Sequence, residues 1–193
     1  MLKEKILCYI NENLSEKRYM HSLNVADEAV RLAKKYGADT EKAYLAGVAH
    51  DMVKELHRDL LEEKLIKYNR CDLLDEYPYP LLHGPAAAVI LQNEFFVTDT
   101  EILESVQYHT TGKENMNLLT KIIYLADFIE PGRKFDGVEK AREAADRSLD
   151  EAIIISSGMV IIHTVRKGKS LHVDTIKARN YLLENFNEFT LDF

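Results

Sequence analysis

The stretch 43-AYLAGVAHDMVKEL-56 sets an imidazole and a carboxylate, His50 and Asp51, in what otherwise reads as the apolar stripe of a helix. A helix turns about 100° per residue, so Ala43, Ala46, His50 and Val53 share one face. Asp51 lies one step round and Lys54 one turn on. The small residues Ala46, Gly47 and Ala49 let a second helix approach closely. Burying an imidazole and a carboxylate on such a face is expensive unless they find partners or a metal.

Outward from this stretch, almost every periodic segment also reads as helix. Ser15 caps a helix running to Lys35, with Gly37 as its stop. The helix of the quoted stretch starts near Asp39 or Thr40, and Asp59 with Glu62 forms a capping pattern for the next, toward Tyr68. Residues 69 to 82, with Pro78 and Pro80, read as an irregular connection, and Gly84-Pro85 as a helix start. Further helices fit 99 to 109, 117 to 129, 138 to 147 and 150 to 167, the last opened by a Ser148–Glu151 capping box. A final helix opens near Asp174. No sustained alternation of strand type and no internal repeat is present. The expectation is one all-α domain over 1–193 of roughly seven to nine helices, bundle-like, with a ligand-bearing core at 16–130 and C-terminal helices at 131–193 packed on it.

Composition narrows the function classes. A hydrophobic fraction of 46% and a charged fraction of 30% are those of a globular protein with a real core. The net charge of −7, without a long run of one sign, argues against a nucleic-acid polymer as partner, yet leaves room for a small anion held by local cations or metals. Cys8 and Cys71 make neither a disulfide framework nor a thiolate metal cage. The run 149-LDEAIIISSGMVIIHTV-165 is too short in its uncharged part to span a bilayer and reads as a buried core helix. The start, 1-MLKEKILCYINENL-14, is too polar for a signal peptide, so the expected setting is the cytoplasm, with no membrane partner and a homodimer left open.

Partners for His50 and Asp51 come from the other histidines. His21 shares a stripe with Val25 and Leu32, His83 precedes the Gly84-Pro85 turn, His109 ends 101-EILESVQYH-109, and Asp127 sits on the stripe of Ile123 in an apolar helix. Any one of these reads as a satisfied core residue. Together, four imidazoles and two carboxylates suit iron, manganese, cobalt or zinc better than the oxygen-loving magnesium or calcium. Six ligands are too many for one open catalytic metal and about right for two metals sharing a carboxylate.

The order His21, His50-Asp51, His83, His109, Asp127 resembles the HD-domain superfamily of metal-dependent phosphohydrolases. The segments 50-HDMVKE-55, 83-HGPAAA-88, 108-YHTTG-112, 125-LADFIEPGR-133 and 172-HVDTIKARN-180 resemble its YqeK-like bacterial branch, with Val173 standing where that branch often has proline. The resemblance implies a helical domain with a two-metal centre, typically iron, and symmetrical cleavage of diadenosine tetraphosphate to two ADP. It also implies that His21, His50, Asp51 and Asp127 hold one metal, and that Asp51 bridges to a second held by His83 and His109.

The chemistry agrees with phosphoanhydride hydrolysis: two cations acidify a shared water and neutralise an in-line displacement, with Asp51 fixing their separation. Lys54 and Arg133 read as phosphate contacts, against alternatives of a solvated lysine and a helix-dipole partner. His57 and Arg58 reach an outer phosphate or ribose, or face solvent; Thr110, Thr111 and Gly112 line the phosphate path; Glu130 orients a ligand or water. His172 reads as a surface residue of a polar loop. Rival readings are another nucleotide or phosphoester hydrolase, a di-iron oxygenase with the same ligand order, and a non-enzymatic interaction domain.

Overall fold

Local capping chemistry explains most helix boundaries in the computed structural model, which describes residues 2–186. Ser15 accepts from the Arg18 amide and opens α2 (Glu16–Tyr36), which Gly37 closes at a left-handed φ of 78°. Asp39 caps α3 (Thr40–Ala49), Asp99 caps α7 (Thr100–Gln107) and Asn117 caps α8 (Leu118–Ile129). Ser148 opens α10 (Leu149–Arg166), but the Glu151 carboxylate turns to Arg147 instead of completing a capping box.

Several boundaries differ from the sequence reading. Two short helices fall where it assigns none: α1 (Leu2–Asn13), anchored by the buried Ile6 and Ile10, and α5 (Asp72–Glu76) inside the supposed connection. In α4 (Arg58–Lys67) the N-cap is His57, without a capping hydrogen bond, and Asp59 sits inside the first turn. The helix α6 (Tyr79–Glu94) starts five residues before Gly84, because Pro80 already supplies the proline tolerated in a first turn. Pro85 and His83 therefore lie within the helix. With α2, α3, α7, α8, α9 (Val138–Ala145), α10 and α11 (Val173–Asn185), the described residues hold eleven helices and no strand. The all-α expectation holds, and the helix number runs above it.

The packing that matters for the site centres on α2, which lies along α3 and α8, while α7 closes against α3, α6 and α8. The small face of α3 makes the first contact tight: a Cβ on Gly47 would fall 2.6 Å from the Ala26 Cα. Gly84 plays the same part in α6, where a Cβ would meet the Gln107 carbonyl at 2.7 Å. On the other side α9 and α10 pack on α8, and α11 on α10. No helix among the described residues is long and apolar enough to cross a membrane.

Candidate metal centre

The α3 helix stops at Ala49, one residue before His50. Three hydrogen bonds of the tighter i→i−3 type follow, from Met52 to Ala49, Lys54 to Asp51 and Leu56 to Val53. His50 and Asp51 thus sit at a helix end that becomes a run of turns, not within a continuous helix as the stripe suggests. This lets two adjacent side chains serve one centre.

Each of the four imidazoles is fixed at one nitrogen by a second residue. Nδ1 of His50 meets the Gly47 carbonyl at 2.7 Å, that of His109 the Val106 carbonyl at 2.7 Å, and that of His83 the Pro80 carbonyl at 3.1 Å. His21 Nδ1 instead meets the Glu130 carboxylate at 3.2 Å, and Glu130 also accepts from Asn24 and from the Gly132 amide. All four Nε2 atoms therefore point into a shared volume. A second contact that sets the tautomer and aims the other nitrogen is what metal-binding histidines carry.

The two carboxylates complete the cluster. Asp51 Oδ1 lies 3.2 Å from His83 Nε2 and 3.6 Å from His109 Nε2, and its Oδ2 lies 3.4 Å from His50 Nε2 and 3.8 Å from His21 Nε2. Asp51 touches both sides of the cluster. Asp127 Oδ1 stands 3.0 Å from His21 Nε2 and 3.9 Å from His50 Nε2. His83 and His109 face each other, Nε2 to Nε2, at 3.1 Å.

The donor set fits metal ions. His21, His50 and Asp127 bring ligand atoms within 4.8 Å of one another, and so do His50, Asp51 and His109. The Nε2 atoms of His21 and His50 are buried and make no hydrogen bond, although Asp127 Oδ1 stands 3.0 Å from that of His21. A buried polar atom left so is costly unless something else binds it.

Electrostatics hold both carboxylates ionised and His83 neutral, and push His50 the other way. Burial would raise the Asp51 carboxyl, but His50, His109 and His83 hold it well below the usual carboxylate range. Burial likewise opposes ionisation of Asp127, and the His21 contact with the charges of His50 and Arg133 holds it low. Burial pushes the His83 imidazole down to about 4, so it stays neutral at ordinary pH. His50 is raised, because Asp51, Asp127 and the Gly47 carbonyl outweigh its burial.

Three cations rim the cluster. Lys54 Nζ lies 3.0 Å from His83 Nε2, and burial lowers its pKa despite Asp51 nearby. Arg133 binds Asp127 twice, pairing with its carboxylate and donating through Nε to its backbone carbonyl at 2.9 Å. It is both a helix-end partner and a site cation. The third, Arg18, contacts Asp51 Oδ2 at 2.7 Å and was absent from the sequence reading. Its one local signal was its position one turn before His21.

The remaining residues of interest divide. Thr110 Oγ1 lies 3.0 Å from His109 Nε2 and 3.2 Å from His83 Nε2. The Thr111 hydroxyl is used on the Gly112 carbonyl, and Gly112, at φ 65°, packs toward Ala178. His57 and Arg58 face solvent beside Asp59 and Glu62. His172 is no surface residue: it caps α11 and stacks on Tyr77 with ring centroids 4.8 Å apart.

A helical domain that gathers four imidazoles and two carboxylates, an adjacent His50-Asp51 pair among them, matches a known family. The HD domain model matches residues 18–132, and the chain belongs to the HD-domain family. It is 41% identical over 187 residues to the symmetrical bis(5'-nucleosyl)-tetraphosphatase of Halalkalibacterium halodurans, covering 95% of this chain and 98% of that one. Against the enzyme of the same name from Bacillus subtilis the identity is 36%, with 95% and 98% covered. The fold is similar, at a TM-score of 0.85, to the crystal structure of a "predicted HD superfamily hydrolase involved in NAD metabolism" from Clostridium acetobutylicum. That protein is 43% identical, with 94% of this chain and 97% of that one covered.

Proposed function

We propose that this chain is a metal-dependent phosphoanhydride hydrolase that cleaves diadenosine tetraphosphate symmetrically to two ADP, at a centre of two divalent transition metals, foremost iron. The observation that carries the reading is the convergence of six ligand-type side chains under three cations, Arg18, Lys54 and Arg133. A ligand cluster alone suits many reactions. Adding three cations suits a polyanion, and this sets the hydrolase reading above an oxygenase, whose phosphonate or acidic polyol substrate would use one of them. The near full-length similarity to symmetrical tetraphosphatases supports the substrate.

In this reading His21, His50, Asp51 and Asp127 would hold one metal, and His83 and His109, with Asp51 between the two groups, would hold a second. When bound, the metals supply Lewis acidity and a water acidified toward neutral pH. Glu130 fixes the His21 ring from behind, with Asn24 and the Gly132 amide fixing Glu130 in turn. Lys54 and Arg133 offer donors to non-bridging phosphate oxygens on either side of the scissile anhydride, and Arg18 holds Asp51 in place. Thr110 stands at the mouth beside His83 and His109 as a further donor. Cys8 and Cys71 are exposed free thiols, which supports a reducing cytoplasm as the setting.

The test is hydrolysis of diadenosine tetraphosphate in oxygen-18 water by protein prepared without oxygen, with metal content measured on the same sample. The expected result is about two metal equivalents per chain and ADP as the sole early product, labelled in one member of each product pair. Early ATP plus AMP overturns the central cut. Oxygen consumption coupled to loss of a phosphonate substrate moves the chain to the oxygenase class.

A further inference from the structure

The turn 130-EPGR-133 carries two side chains of the site and ends a helix at the same time. Glu130 reaches back to His21, and Arg133 to Asp127. The helix α8 stops at Ile129, and Pro131 has no amide with which to continue it. The last carbonyls of a helix are left without intrahelical partners. Within the turn the Arg133 amide donates to the Glu130 carbonyl at 2.9 Å, and the Gly132 amide to the Glu130 carboxylate at 2.5 Å. A Cβ on Gly132 would fall 2.8 Å from Glu130 Oε2, so the turn closes on that carboxylate without room to spare.

What grips the turn from outside is Arg142, in the middle of α9. Its Nε donates to the Ile129 carbonyl at 2.9 Å, and its Nη2 to the carbonyls of Glu130 at 2.8 Å and Arg133 at 3.1 Å. Nη1 turns to Glu139 at 2.6 Å, on its own helix. One guanidinium thus serves three carbonyls of a single turn. The planar fork of donors suits this, where a lysine has one compact head, and its charge complements the negative end of α8. The helix that carries it is moored elsewhere. Its buried face is Val138, Ala141, Ala144 and Ala145, and the Tyr36 hydroxyl of α2 donates to the Ala145 carbonyl at 2.7 Å. Arg142 therefore ties the end of α8, which bears Asp127, to a helix fastened on α2, which bears His21.

We propose that Arg142 is a positioning residue of the metal centre: by fixing the carbonyls of the 130–133 turn it sets where Glu130 meets His21 and where Arg133 meets Asp127. The proposal rests on the reading of that cluster as a metal site. Glu130 is only 3% exposed, so its carboxylate has no free space to adjust in, and a shift of its backbone passes to the His21 ring. Arg133 is held at both ends, its side chain on the Asp127 carboxylate and backbone carbonyl, its own carbonyl on Arg142. Without the guanidinium the three carbonyls turn to water and the turn loosens. A role confined to anchoring α9 costs stability alone. Positioning costs metal affinity beyond what stability accounts for.

The experiment compares wild type, Arg142→Ala, Arg142→Lys and Tyr36→Phe, the last removing another tie of α9 while leaving the turn alone. Metal-free protein is titrated with cobalt(II) against a competing chelator, and amide exchange in the turn is followed by NMR beside thermal melts. Arg142→Ala is expected to weaken cobalt about tenfold, the low end of what losing a ligand's outer support costs, and to speed exchange of the Gly132 and Arg133 amides. Arg142→Lys keeps charge and stem without the fork, so it recovers stability but only part of the affinity, and it carries the comparison if the alanine variant does not fold. Tyr36→Phe is expected to lower the melting temperature with cobalt affinity and turn exchange unchanged. In a Glu130→Gln background Arg142→Ala should cost much less than about tenfold, because both act along one path. The assignment is overturned if the Arg142 variants keep wild-type affinity and exchange, if Tyr36→Phe matches them at equal loss of stability, or if the Glu130 and Arg142 effects multiply in full. A wild type that takes up no cobalt would remove the metal reading behind the proposed function, and exchange in the turn would still decide whether Arg142 holds it.

Discussion

The candidate metal centre and the cleft beside α10 meet at Asp127 and Phe128, neighbours in the chain, yet they are built by opposite rules. At the centre every imidazole has a second contact that aims it, from Gly47, Pro80, Val106 or Glu130. In the cleft the aromatic pair Phe128 and Phe135 is held by ring contact, and Phe135 and Ile162 stay 39% and 45% exposed. The difference follows from what each must do. A coordination site fails if its ligands drift by a fraction of an ångström, so its orientation is set twice. An apolar face tolerates sliding, so packing on one side is enough to hold it.

The comparison breaks most visibly at Asp51, the carboxylate that touches both halves of the ligand cluster. Asp51→Ala is expected to strip metal and lower kcat/KM on the order of a thousandfold or more. Metal analysis and steady-state kinetics on the same preparation check this; full turnover with metal retained would remove Asp51 from the bridging position. Next comes Glu130, which holds no ligand position itself. Glu130→Gln should weaken metal binding about 10- to 100-fold through the His21 ring, measured by competition with a chelator. Unchanged affinity would mean that His21 is aimed by packing alone.

A pH experiment sharpens the contrast in the metal-free protein. The His83 pKa falls to about 4 on folding, below the unfolded value of about 6.5. Between those values the unfolded chain takes up a proton that the folded chain refuses, so this group destabilises increasingly as pH drops from about 6.5 to about 4. Above that window it contributes nothing. At pH 5 the effect is about 2 kcal/mol, and metal-free His83→Asn should lose less stability than wild type by roughly that amount between pH 7 and 5. Urea melts at the two pH values measure it, and equal losses would show that His83 titrates normally. The smallest effect belongs to the cleft: Ile162→Ser, on an exposed face of α10, should change stability by no more than about 0.5 kcal/mol. A large loss on thermal melting would place that face in contact with something that covers it.

Much of the architecture is legible because its causes are local. Ser15, Asp39 and Ser148 accept from amides two or three residues on, and Gly37 takes a conformation that side chains resist, so each boundary is written within one helical turn. The start of α6 misleads for a related reason: Pro80 and Pro85 both suit a helix start, and which one serves depends on where Gly84 can meet the Gln107 carbonyl. Of the six candidate ligand residues, His21, His50 and Asp127 stand out as polar groups on apolar stripes, and Asp51, His83 and His109 join them as further groups of ligand type beside or beyond those stripes. Arg18 does not, since an arginine on the rim of a helix is ordinary until its partner, 33 residues away, is known.

The sequence by itself therefore determined the helical class, most of the caps and the candidate ligand set with its order. It did so because helix periodicity and capping act over three or four residues, and because burying a charged or imidazole side chain is costly enough to mark its position. Only the tertiary structure decided that α3 ends at Ala49, that Glu130 reaches His21 across 109 residues, and that α10 is buried for half its length. These depend on which helices meet and where one stops short of another, a question of long-range packing on which the local pattern is silent.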